Sequence, residues 1–146
     1  MSKLTLRYQY DASFFDPNQP TDDFGWLGIT VETDRYSGQG GFWVQWQDVK
    51  EFGEALATLW IKADRPIKAQ WGFGMQEGDD LILSIEFYPE NKRGDIAVRF
   101  TLADHIGPSN RASGSFRTNH PELDAFRAGI ALVMNREAEE ATLIGS

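Results

Sequence analysis

Between residues 4 and 10 every second side chain is apolar: Leu4, Leu6, Tyr8 and Tyr10 alternate with Thr5, Arg7 and Gln9. This is the period of two that a pleated strand imposes when one face is buried. The same alternation returns at residues 26–33, 40–46, 67–73, 81–88 and 96–102 and, more briefly, at 111–117, so the pattern predicts seven strands. Between the first two, Pro17, Pro20 and a scatter of Asp and Asn predict a long loop over residues 11–24, while Pro89 closes the fifth strand because it cannot donate to a ladder.

Twice the period changes. Val49, Phe52, Leu56 and Leu59 recur at helical spacing and, at about 100° per residue, fall within roughly 80° of one another. Asp48 and Glu51 have the spacing of a capping box, and the helix they open is expected to end near Ile61. A second stripe, Leu123, Phe126, Ile130 and Val133, is entered through Asn119 and Glu122 with Pro121 in the first turn. Each position of the first stripe reappears 74 residues later, as do Gly40 and Phe42, at Gly114 and Phe116, and residues 28–34 align with 98–104 at an offset of 70. Internal duplication explains these matches; so does burial, which demands the same spacing of any two such helices. Both lead to one architecture: a two-layer α+β domain with a single, mostly antiparallel sheet of about seven strands, two helices on one face and the other face open. Residues 136–146 read as a frayed tail.

Composition narrows the function classes. A chain of 146 residues, 41% apolar and 13% aromatic, has the makings of one core and reads as a single domain over 1–146. With no cysteine there is no disulfide, thiolate metal site or cysteine nucleophile, which fits a reducing compartment. No apolar run reaches the length of a secretory or membrane-spanning segment, and a cytoplasmic protein is expected. The net charge of -8 disfavours nucleic acid and anionic membranes and is compatible with a basic partner.

No stretch is a chemical signature. His105 and His120 stand apart, without the His/Asp/Glu spacing of a metal site, and read as surface and capping residues. Ser37, Ser113 and Ser115 lack a strand-to-helix elbow and a histidine base. The glycines of residues 37–41 precede a strand, where a phosphate loop would open a helix, and predict a turn or β-bulge. Asp16, Asn18 and Asp22 lack the central Gly and closing Glu of a calcium loop, and Asp79 and Asp80 lie in a solvated turn, not the apolar pocket that carboxylate catalysis requires. Neither an enzyme nor a bound cofactor is expected.

The unusual feature is the outward register of the strands, where Trp26, Trp43 and Tyr88 are set among Glu32 and Glu86. Aromatic anchors within an acidic setting suit a protein interface, and these five residues are the candidate partner-binding set. The order Trp26-Leu-x-Ile-x-Val, Ser37-Gly, Val49-x-x-Phe52-x-x-x-Leu56, Leu81-x-Leu-x-Ile85, Gly94-x-Ile-x-Val98 and Phe116 before Leu123-x-x-Phe126 resembles the WapI-type bacterial immunity proteins and related small bacterial domains, over most of the chain. The resemblance implies a cytoplasmic antitoxin that binds and blocks a toxin domain, with no toxin-contacting residue transferable by position. Two other classes stay open: an assembly or regulatory module acting as a homo-oligomer, and an enzyme with an unfamiliar carboxylate site.

Overall fold

A computed structural model describes residues 1–11, 24–57, 61 and 64–146. Most of the long loop, including Asp16, Asn18 and Asp22, lies outside the described residues, as does Leu59 of the first stripe. The predicted alternations all fold as strands: β1 (Ser2–Tyr10), β2 (Phe24–Glu32), β3 (Ser37–Gln45), β4 (Ile67–Gly72), β5 (Leu81–Pro89), β6 (Ile96–Ala103) and β7 (Arg111–Thr118). The helices are α1 (Trp46–Ala55) and α2 (His120–Met134). An eighth strand, β8 (Glu140–Gly145), occupies the segment read as a frayed tail. Ala141 and Leu143 are its buried positions, opposite Leu6 and Leu4 of β1, and this pairing orders it.

The strands form two sheets, not one. Their orders are β3-β2-β1-β8 and β4-β5-β6-β7, all antiparallel, so the α+β class holds and the single seven-stranded sheet is replaced by two of four strands. Each half of the chain runs three strands, a helix and a strand, and each sends its last strand onto the first strand of the other half, β4 onto β5 and β8 onto β1. The register also corrects the alignment of residues 28–34 with 98–104. Ile29 and Val31 are buried on the inner face, but the residues 70 positions on, Arg99 and Thr101, lie on the outer face of β6. An even offset of this kind pairs inward with outward residues, because β2 buries its odd positions and the inner face of β6 carries Val98, Phe100 and Leu102. The offset of 74 keeps the helix stripes and the β3 and β7 inner positions in phase.

The described positions of both helix stripes are buried. Val49 and Phe52 of α1, Leu56 at its C-cap, and Leu123, Phe126, Ile130 and Val133 of α2 join one apolar cluster with the inner faces of both sheets. Phe52 lies 6.1 Å from both Trp71 of β4 and Phe87 of β5, so α1 covers the second sheet, whereas α2 packs on β8 and β1 of the first. The helices meet where Gly53 admits Ile130. Among the described residues no helix is long and apolar enough to cross a membrane.

The start of α1 departs from expectation. It begins at Trp46, with Gln45 at the N-cap making no side-chain capping bond, so Asp48 sits inside the first turn instead of capping it. Docking overrides the local signal: the Trp46 Nε1–H and the Tyr10 hydroxyl both donate to the Met134 carbonyl, one of the acceptors that the end of α2 leaves unpaired. At the other end, the Ala57 N–H bonds the Glu54 carbonyl, tightening the chain into a three-residue turn that ends α1 at Ala55, short of Ile61. The cap of α2 forms as the sequence predicts, with Asn119 Oδ1 accepting from the Glu122 N–H at 2.9 Å. Asn119→Ala should therefore cost about 1 kcal/mol in urea unfolding. A variant indistinguishable from the parent would show that the bond contributes nothing.

Candidate functional site

The outer face of the first sheet carries two tryptophans. Trp26 of β2 and Trp43 of β3 stand directly opposite one another, their rings 5.2 Å apart at 74°, an edge-to-face cross-strand pair. Trp43 keeps 47% of its surface exposed. The Trp26 ring lies over Gly41, where a Cβ would come within 2.3 Å of it, so the glycine is what lets the indole settle on the sheet. The His105 ring also packs against it, at 4.8 Å and 68°.

His105 reaches Trp26 from the other sheet. It belongs to the loop between β6 and β7, and the strand ends that carry this loop pack on β3 where glycines replace side chains: a Cβ at Gly40 would meet the backbone of Ala103 in β6 at 2.8 Å, and one at Gly38 the Cβ of Ala112 in β7 at 2.5 Å. The glycines expected to form a turn or bulge are thus part of a regular strand, paired without a break from Ser37 to Gln45. Their absence of side chains brings the two sheets into contact.

Where the loop meets the sheet there is a cleft of about 620 Å³. Its floor is Gly28, opposite the Gly41 that Trp26 covers, and around it stand Trp26, Arg7, Asp104, His105, Asn110 and Arg111. Arg7 is held by Glu140, with Nε at 2.8 Å and Nη2 at 2.7 Å from the same carboxylate oxygen. Arg111 is oriented by carbonyls, its Nε donating to Pro108 at 3.0 Å and its Nη2 to Leu81 at 3.2 Å, with Asp79 at 3.7 Å. Asp104 Oδ1 accepts the Ile106 N–H at 2.9 Å.

Of the five predicted partner-binding residues, only Trp26 and Trp43 are brought together. Glu32 is exposed at the last position of β2, six residues from Trp26 and therefore about 20 Å along the strand. Glu86 and Tyr88 are on the outer face of the second sheet. Glu86 stands between Lys68 and Arg99, and the Arg99 guanidinium lies 4.7 Å over the Tyr88 ring, so that surface is of mixed charge. Sequence reasoning missed His105, Asn110 and Arg111, whose roles arise from a loop crossing between sheets; the glycine run in β3 was the available signal. Among the described residues no group of three or more His, Cys, Asp or Glu is placed to hold a metal ion. Comparison with family models, with curated proteins and with solved structures finds no match to this chain.

Proposed function

We propose that this protein is a non-catalytic protein-binding domain, an immunity protein that occupies a toxin domain, and that its partner docks on the Trp26 and Trp43 face of the first sheet. The observation carrying this reading is Trp43, a large aromatic ring left half exposed yet held rigid by Trp26, itself fixed by Gly41 and His105. Rigid aromatic anchors supply contact area at small entropic cost, which is why they dominate interface energetics. The net charge of -8 would hasten encounter with a basic partner by long-range attraction, while the aromatic pair would govern dissociation. Glu86 and Tyr88 belong to a different face and have no part in this docking.

The test is binding kinetics against a basic toxin domain encoded beside this protein. Trp43→Ala should weaken binding by about 2 kcal/mol, roughly 30-fold, mainly through faster dissociation, and should leave the fold intact because the ring is half exposed. Tyr88→Ala should bind like the parent. The reverse outcome, with Tyr88 critical and Trp43 silent, would move docking to the second sheet. Concentration-dependent dimerisation abolished by Trp43→Ala would make a second copy of the chain the occupant.

A further inference from the structure

The cleft beside Trp26 has a chemistry of its own, separate from the exposed ring of Trp43. Its volume of about 620 Å³ lies within the range of small-molecule sites, about 300 to 1,000 Å³. Its floor is bare backbone at Gly28, one wall is the indole of Trp26 lying over Gly41, and the rest of the lining sets Arg7, Asp104, His105, Asn110 and Arg111 beside Leu102, Ala103 and Ala112. We propose that this cleft is a binding site for a neutral saccharide.

The polar groups decide the ligand class by elimination. A phosphate or carboxylate requires uncompensated positive charge, yet Glu140 neutralises Arg7, Asp79 lies beside Arg111, and the Asp104 carboxylate faces the same space. The cleft is lined by strands and the loop between β6 and β7, so no helix N-terminus adds its dipole. A cation would meet the two guanidinium groups. A wholly apolar ligand would strip water from the carboxylate and guanidinium groups without replacing their hydrogen bonds. A hydroxyl both donates and accepts, which matches a lining of fixed donors at Arg111, an acceptor at Asp104 and an amide at Asn110 that does both. Arg111 is already oriented by two carbonyls and retains donors for a ligand, and Asp104 Oδ1 is tied to a backbone N–H while its carboxylate keeps acceptor capacity. The Nε1–Cδ1 edge of Trp26 borders Gly28, where a pyranose can set its C–H groups against the indole edge and a hydroxyl oxygen can accept from Nε1–H, without a parallel aromatic slot. A nucleobase would want such a slot, and Trp43 and His105 stand at 74° and 68° to the Trp26 ring instead.

Gly28 supplies the discriminating variant. The nearest atom to a Cβ built there is Trp26 Nε1 at 3.8 Å, so the first carbon of a side chain fits, and Gly28→Val projects its methyls into the cleft from a strand that favours a β-branched residue. The experiment is an array of neutral glycans probed with the purified protein, followed by titration of any retained glycan while the Trp26 indole N–H resonance is recorded. The expected result is retention of at least one neutral glycan and a shift of that resonance on titration. Gly28→Val, melting at or above the parent, should weaken the interaction more than tenfold, as should Asn110→Ala. Retention of no neutral glycan would overturn the proposal, as would a shift of Trp26 by adenosine or inorganic phosphate but by no sugar, or unchanged affinity in Gly28→Val. The assay contains no protein partner, and Trp43→Ala is not part of it, so its failure and the failure of protein docking are separate results.

Discussion

A chain ending at Glu139 is expected to lose its cooperative fold. Deleting β8 takes Ala141 and Leu143 from the inner face of the first sheet and uncovers Leu6 and Leu4 opposite them, all of them nearly inaccessible in the intact protein. Truncating one buried leucine already costs about 2 to 5 kcal/mol, and here several apolar contacts go together with a six-residue ladder. The deletion also breaks the seam between the sheets at that edge. Arg117 and Ser146 exchange backbone bonds at 3.1 and 2.8 Å, and the buried Thr118 hydroxyl donates to the Ile144 carbonyl at 2.8 Å. The combined loss is comparable with the whole stability of an ordinary domain, about 5 to 15 kcal/mol. Circular dichroism and urea unfolding test this. A truncated chain unfolding cooperatively at nearly the parent's midpoint would show that β8 is dispensable, as the frayed-tail reading implies.

The same exchange explains what was legible in the sequence. Seven strands and both helix stripes could be read because each element buries one face, and burial on one face prints a period. A period tells which side of a strand is inward but not which strand lies beside it. That β4 pairs with β5 and β8 with β1, rather than joining one continuous sheet, depends on tertiary pairing that no local pattern carries. The eighth strand escaped because its signal is only Ala141 and Leu143, flanked by Glu139, Glu140 and a terminal Gly145-Ser146. Of the site, the outward Trp26 and Trp43 were legible as alternation. The separation of Glu32, Glu86 and Tyr88 from them follows from strand length and from the division into two sheets, and was not. His105 looked like an ordinary loop residue because its partner, Trp26, is 79 positions away and is reached only across a strand that glycine has stripped of side chains.

Phe126→Ala is expected to destabilise the protein by about 3 to 5 kcal/mol, the range for emptying a large aromatic site in a core. Phe126 has no accessible surface and sits midway along α2, the helix that covers the first sheet. Its helix-mates Leu123, Ile130 and Val133 are also buried, so the space left by the ring is walled by well-packed neighbours that cannot collapse into it without moving α1 or a sheet. Leu132 on the same helix is the internal control: 45% of it is exposed, and Leu132→Ala should change stability by less than about 0.5 kcal/mol. In a chain of this size the larger loss corresponds to a fall in Tm of roughly 6 to 20 °C. Two variants of similar stability would show that the two faces of α2 are not distinguished by burial. A large loss at Phe126 alone places the helix stripe in the core and leaves the outer face of the first sheet, with Trp26 and Trp43, free to bind.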